Sequence, residues 1–266
     1  MIWDAHMHCH FSGDSETNPL EMINASIKKG LPGICFTDHL DYDFKEQPGL
    51  FDLDLEPYYH TITQLSQEFK NQINIHYGIE LGLQPHIVSK NLAVTRQYPF
   101  DFVIGSTHLV NGIDPYYPQY FSNKTEEEGY LEYFETTLSN IKSSPDYDVY
   151  GHIDYIVRYG PNKNKFYTYR KYEDIIDEIL RQLIERGKGI EINTAGFKYG
   201  LGHPNPTEEI LARYRELGGE IITVGSDAHV PEHVAYDFEK VPDILKAAGF
   251  NYYTVFEKRR PVFIKI

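Results

Sequence analysis

Twelve histidines are spread along the 266 residues, and several stand next to carboxylates in a recurrent setting. Short apolar runs end in Asp4-Ala5-His6-Met7-His8, Thr37-Asp38-His39, Gly78-Ile79-Glu80, Ser106-Thr107-His108 and Gly151-His152. Two more end in Glu191-Ile192-Asn193 and Gly225-Ser226-Asp227-Ala228-His229. Residues two apart on an extended chain project to one side. His6 and His8 can therefore grip one ion, and Asp227 and His229 can face it together. Imidazole and carboxylate donors suit zinc, manganese or iron, and the lack of thiolate donors argues against a structural zinc knuckle. The candidates outnumber the roughly four or five ligands of a single site. They point to a cluster of two or three ions, with a carboxylate such as Glu80 able to bridge.

Other polar residues divide between this chemistry and ordinary roles. His60, His76, His86 and His233 fall on helices or in mid-strand and read as structural. His10 extends the His-x-His spacing, and His203 lies in the loop Gly202-His203-Pro204. Asp14 follows Ser12-Gly13, where an aspartate can cap a turn. It also follows the first strand to the same end of the molecule and is counted with the ligands.

These residues need elements that bring distant strand ends together, and strands and helices alternate along the chain. Strands are expected over 1–6, 33–38, 73–80, 101–107, 147–152, 188–193 and 220–226. Helices are expected from Asn18-Pro19 to Gly30 and over about 57–71 and 86–97. Further helices are expected from Thr125 to Ser143, over 170–186, from Thr207 to Gly218-Gly219 and over about 231–248. One or two strands are expected in the tail from Tyr252. This alternation implies a parallel sheet. Seven such units in this length suit a closed βα barrel better than the alternative, an open doubly wound sheet. In a barrel the C-terminal strand ends converge on one face, where active sites sit. The irregular stretches 40–56 and 109–124 are expected to be loops over that face.

Composition narrows the class. The chain is 41% hydrophobic and 24% charged, typical of a globular protein, and one domain over 1–266 is expected. No apolar run approaches the roughly 20 residues of a membrane helix. The first residues show no signal core. Cys9 and Cys35 read as buried thiols, so a cytoplasmic protein is expected. The net charge is −14, and the basic run Lys258-Arg259-Arg260 is short, which argues against a nucleic-acid partner. A small anionic substrate needs a local positive source, either a metal or placed Arg and Lys side chains.

His6-x-His8, Thr37-Asp38-His39, Gly78-Ile79-Glu80, Ser106-Thr107-His108, Gly151-His152 and Ser226-Asp227-Ala228-His229 resemble, in order, the motifs of the polymerase and histidinol phosphatase (PHP) family. The resemblance implies a distorted (β/α)7 barrel of the PHP type, a trinuclear metal centre and phosphoesterase activity. By that resemblance His6, His8, Glu80 and Asp227 hold one metal, Glu80, His108 and His152 a second, and Asp14, His39 and His229 a third. Gly151–Tyr159 and Glu191–Lys198 resemble the stand-alone histidinol-phosphate phosphatases of the family. These act on a small phosphorylated substrate at the penultimate step of histidine biosynthesis. A metal acidifies water enough to supply a nucleophile at neutral pH. Arg158, whose guanidinium fork matches phosphate, and then Lys198 are the expected substrate contacts. Asp227 or His229 is expected to return a proton to the leaving oxygen, and Glu191 to support the ligands or meet the substrate's amine. The competing readings are a phosphoesterase for another phosphomonoester or nucleotide, and a metal-binding module without catalysis.

Overall fold

The computed structural model describes all 266 residues. Ten strands are β1 (Asp4–Met7), β2 (Gly33–Phe36), β3 (His39–Leu40), β4 (Asn74–Gly82), β5 (Phe102–Ser106), β6 (Val149–Tyr150), β7 (Gly189–Asn193), β8 (Ile222–Gly225), β9 (Tyr252–Glu257) and β10 (Arg260–Lys265). Eight helices are α1 (Pro19–Lys28), α2 (Leu55–Phe69), α3 (Val88–Gln97), α4 (Glu126–Ser143), α5 (Glu173–Glu185), the short α6 (Ala195–Lys198), α7 (Glu208–Glu216) and α8 (Val241–Ala247).

Seven strands pair in parallel in the order β1-β2-β4-β5-β6-β7-β8, with β3 added beside β4. The sheet curls into a nearly closed barrel, as the βα alternation predicts. Strands β1, β2, β5, β7 and β8 are buried along their whole length. Covering both faces of parallel strands is what produces such continuous burial.

The seam between β1 and β8 is thin. One bridge, Met7 to Ala228, spans it, flanked by His8 N–H to Ala228 O and Asp227 N–H to His6 O, both 2.8 Å. The buried Asp4 carboxylate reinforces the seam. It accepts from Ser226 N (2.9 Å), Ser226 Oγ (2.5 Å) and Ala235 N (2.9 Å).

Helix signals in the chain act as local chemistry predicts. Asn18 and Glu21 cap α1 reciprocally, and Thr125 and Glu128 do so for α4. Helix α5 buries Ile176, Ile179, Leu180 and Leu183 on one stripe. The helix expected over about 231–248 is instead two single 3₁₀ turns, at Pro231–His233 and Phe238–Lys240, followed by α8. Ala235 and Asp237 take left-handed backbone (φ 48° and 54°), and the Ala235 N–H is spent on Asp4, so no helix can run through. The strand expected over 147–152 contracts to two residues.

The tail is an antiparallel hairpin, β9–β10. Its turn, Lys258-Arg259, uses positive φ at both residues, which matches the twist of a tight hairpin. The Arg259 guanidinium reaches Asp148 (2.6 Å) and Asp146 (2.9 Å), and Lys258 N–H reaches Asp101 (3.0 Å). The hairpin thus anchors at the N-terminal ends of β5 and β6, opposite the face where the strand ends converge. No helix is long and apolar enough to cross a membrane.

Asp4→Ala removes three hydrogen bonds from the seam and strands buried donors. It is expected to lower the unfolding free energy by about 3 kcal/mol in urea denaturation. An unchanged midpoint would show that the seam does not depend on this carboxylate.

Candidate metal centre

The carboxylate of Glu80, in β4, is the centre of the site. Its Oε1 lies 3.0 Å from His152 Nε2 and 3.2 Å from His108 Nε2, and accepts from Ser106 Oγ at 2.7 Å. Its Oε2 lies 3.0 Å from His39 Nδ1, 3.2 Å from His6 Nε2 and 3.6 Å from His8 Nε2. Five imidazoles thus surround one buried carboxylate. Asp227 Oδ1 is 3.5 Å from His8 Nε2 and 3.8 Å from His6 Nε2. Asp14 Oδ2 is 3.1 Å from His229 Nε2 and 3.7 Å from His39 Nε2. The His8 ring is stacked between His39 and His229, with centroids 4.2 and 4.1 Å away.

Glycine makes room for this crowding. A Cβ on Gly225 would lie 2.3 Å from His6 Cβ and 2.5 Å from Glu191 Oε1. One on Gly82 would lie 1.9 Å from Asp41 Oδ1.

A ring of further residues sets how the imidazoles point. His6 Nδ1 pairs with Glu191 Oε1 at 2.6 Å, and His108 Nδ1 with Asp41 Oδ1 at 2.7 Å. His8 Nδ1 is 3.1 Å from Ser12 Oγ, which itself donates to Asp38 at 2.9 Å. Donating Nδ1–H to a carboxylate turns Nε2 toward Glu80, the orientation a metal-binding histidine needs.

Burial and charge pull hard on these groups. Burial would raise the Glu80 carboxyl, but His6, His108 and His39 override it and hold the group well below the usual range. Burial would lower His6, but Glu191, Glu80 and Asp227 hold it well above its ordinary value. His39 is pushed up to about 9, against its own desolvation, by Glu80 and Asp14. His8 is driven well below by burial and then by the neighbouring His229 and His39. His39 Nδ1, His108 Nε2 and His229 Nε2 are buried and lack a protein partner in hydrogen-bond alignment, although carboxylates lie within 3.0–3.2 Å. Lone pairs aimed at common space among carboxylates fit divalent cations. The donor atoms fall into overlapping groups able to hold them: His6, His8 and Glu80; Glu80, His108 and His152; His8, His39 and His229; His6, His152 and Asp227; His39, Asp41 and His108.

All nine residues expected from the sequence as ligands lie in this one cluster. The route differs at one end. β8 stops at Gly225, so Asp227 and His229 do not alternate along a strand. Asp227 has left-handed backbone (φ 54°), and this turn brings both side chains inward. His60 and His86 pair with Glu56 and Asp43 on the surface, and His76 lies against Trp3. His10 packs on Phe11, and His203 bonds to Pro204 O, both outside the cluster. His233 instead lines the cavity above it. Asp41, Ser12 and Asp38 carry roles the sequence analysis does not assign. Only the place of Asp41 in the loop 40–56, itself expected over the site, hints at its role.

A cavity of about 670 Å³ opens above the cluster. Arg158 lines one wall but is itself buried. Its Nε donates to Asn205 Oδ1 (2.9 Å), Nη1 to Asp227 Oδ2 (2.9 Å) and Nη2 to Asn193 Oδ1 (3.0 Å). Tyr155 and Tyr199 cover it, with ring centroids 5.2 and 5.1 Å from the guanidinium carbon. Lys198 Nζ stands nearby, 3.3 Å from Asp227 O, and burial lowers its pKa. The loops 40–56 and 109–124 add Phe44, Phe51, Tyr116, Tyr117 and Asp114 to the lining. Burial pushes the Asp114 carboxyl up to about 6.

A family model, PHP domain, matches residues 4–195, which hold all but two of the nine clustered residues. The chain belongs to the PHP domain family. Within reach of that family, the histidinol-phosphatase of Lactococcus lactis subsp. lactis (strain IL1403) is 36% identical over 253 residues, 93% of this chain and 91% of that protein. A protein named "probable histidinol-phosphatase" from Clostridium acetobutylicum is 33% identical over 263 residues, 98% of each. The crystal structure of histidinol phosphate phosphatase from Lactococcus lactis, complexed with zinc, L-histidinol and phosphate, superposes with a TM-score of 0.92 at 34% identity, covering 98% of both chains.

Arg158→Met leaves Asp227 buried without its ion-pair partner, Asn205 Oδ1 without its donor, and Asn193 Oδ1 with one donor of two. Urea unfolding is expected to show a loss of about 3–5 kcal/mol. A loss below about 1 kcal/mol would mean that other groups hold Asp227.

Proposed function

We propose that this PHP-family chain is a metal-dependent histidinol-phosphate phosphatase. It would hydrolyse L-histidinol phosphate to L-histidinol and phosphate, as one cytoplasmic domain over 1–266 in histidine biosynthesis. The observation that carries this reading is the make-up of the cavity, which joins the imidazole–carboxylate cluster to the cations of Arg158 and Lys198 and to aromatic side chains beside Asp114. The likeness to a relative that binds zinc, L-histidinol and phosphate supports the same reading.

In this proposal His6, His8, Glu80 and Asp227 hold one ion, Glu80, His108 and His152 a second, and Asp14, His39 and His229 a third. Zinc, manganese and iron suit these donors. Bound there, such ions would acidify water and offset the charge of the phosphoryl oxygens. The chain's own residues do the rest. Arg158 spends three of its five N–H groups within the protein and has two left for phosphoryl oxygens. Lys198 adds a point charge on the same side. Water attacks phosphorus opposite the leaving oxygen and passes a proton to Asp227 or His229, which returns it to that oxygen as its bond to phosphorus breaks. The leaving group of histidinol phosphate is a cationic amine carrying a planar imidazole. Tyr116, Tyr117 and Phe44 suit the ring, and Asp114 suits the positive charge.

A phosphate-release screen of manganese-loaded protein tests the substrate. The kcat/KM for histidinol phosphate is expected to exceed that for glycerol phosphate or p-nitrophenyl phosphate by at least about 100-fold, about 2.7 kcal/mol of transition-state discrimination. Equal values would overturn the assignment. Stripping with a chelator is expected to abolish turnover, and added zinc or manganese to restore it; full activity in stripped protein rejects the metal centre. Asp41→Ala frees the His108 ring and is expected to weaken metal retention about 10–100-fold in competition with a chelator.

A further inference from the structure

One side chain joins the two halves of this site without belonging to either expected set. Asn193, at the end of β7, is fully buried and has all four of its amide bonds filled. Its Oδ1 accepts from Arg158 Nη2 (3.0 Å) and from Ala195 N (3.0 Å). Its Nδ2 donates to Glu191 Oε2 (3.1 Å) and Asp227 Oδ2 (3.3 Å). This fixes the amide's direction. Turned over, it would set its N–H groups against a guanidinium and a backbone N–H, and its oxygen against two carboxylates. The backbone is equally constrained, since Asn193 and Asn205 exchange N–H to O bonds at 2.8 Å in both directions.

The four partners lead to different parts of the site. Glu191 pairs with His6 through Oε1 (2.6 Å) and takes the His152 N–H on Oε2 (3.0 Å). Asp227 Oδ2 is shared between Arg158 and Asn193, which leaves Oδ1 toward His6 and His8. Arg158 carries the cationic wall. No other side chain of similar shape does this work. Aspartate would place a third negative charge beside Glu191 and Asp227, and serine or alanine cannot span the gap. Leucine would leave two carboxylates and a guanidinium short of buried partners.

We propose that Asn193 is a positioning residue that locks the phosphate-facing guanidinium to the ligand carboxylate and to the carboxylate that orients His6, so that metal retention and phosphate affinity depend on the same amide. This rests on the metal-centre reading above. It acts on no reacting atom itself. A residue that only supported the fold would alter stability and leave ion retention and phosphate affinity as they were.

The test compares Asn193→Asp and Asn193→Ser with Asn140→Ser. Asn140 is an equally buried asparagine whose amide donates to Thr107 Oγ1 at 2.9 Å and bonds to none of the clustered side chains. Two quantities are read: zinc retained per chain against a competing chelator, and the inhibition constant of inorganic phosphate. Both Asn193 variants are expected to lose zinc at about 10–100-fold lower chelator concentration. Their phosphate inhibition constant is expected to rise about tenfold or more. Asn140→Ser is expected to lower the melting temperature and move neither quantity. Should Asn193→Asp fail to fold, Asn193→Ser, uncharged and smaller, gives the same two readings.

Wild-type retention and phosphate inhibition in both Asn193 variants would overturn the proposal. So would equal losses in Asn140→Ser, which would assign the effect to general destabilisation. Wild-type protein holding fewer than two zinc ions would overturn the metal-centre reading itself, and the proposal with it. That failure is visible before any variant is made.

Discussion

Everything at the open end of this barrel follows from burying the Glu80 carboxylate among five imidazoles. A carboxylate taken out of water costs several kcal/mol unless positive charge compensates it. Neutral imidazoles with their lone pairs turned inward do not compensate it; they add to the repulsion. The arrangement is coherent only if the imidazoles carry protons or if cations sit among them. Without an ion, the surrounding carboxylates favour protonated His6, His39 and His108. Glu191 and Asp41 accept the Nδ1–H of His6 and His108, so an ion that replaces the other proton finds Nε2 already turned toward it. The cluster is thus built as a receptor for positive charge, and its acids outside the barrel strands, Asp14 and Asp227, extend that receptor toward the cavity.

The same constraint shapes the walls. Asp227 cannot serve the cluster with both oxygens, because Arg158 takes one of them. The guanidinium is in turn held by two asparagine oxygens and two tyrosine rings. The result is a fixed boundary between a negative floor and a positive wall only one side chain apart. Such fixed dipoles need no reorganisation when charge develops on a substrate. Phe44, Phe51, Tyr116, Tyr117 and Asp114 of the cavity lining come from long loops, the segments best suited to varying with the molecule recognised.

The far end of the barrel carries a different burden. The C-terminal hairpin seats Arg259 between Asp146 and Asp148 under β5 and β6, and the Asp4 carboxylate ties β1 to the segment after β8. Both devices stiffen the frame at the points where strand pairing is weakest. Precision at the cluster depends on them, because its residues come from several different strands.

Much of this was legible in the chain. Alternating apolar runs and capped helices specify the βα order, since periodicity and capping are local properties. A histidine, aspartate or glutamate at successive strand ends picked out eight of the nine clustered residues, because parallel strands force those ends to one face; Asp14, in the loop after the first strand, was the ninth. What local pattern cannot carry is the detail of how distant segments meet. The left-handed turn at Asp227, the broken helix after Val230 and the partnership of Asp41 with His108 depend on contacts between segments far apart in sequence. So does the burial of Arg158, which as a sequence element is only a basic residue in a βα loop. Residue types and spacing determined the chemistry available to this protein; the tertiary structure alone decided which lone pairs, protons and charges face one another, because orientation and desolvation arise only when distant strands pack.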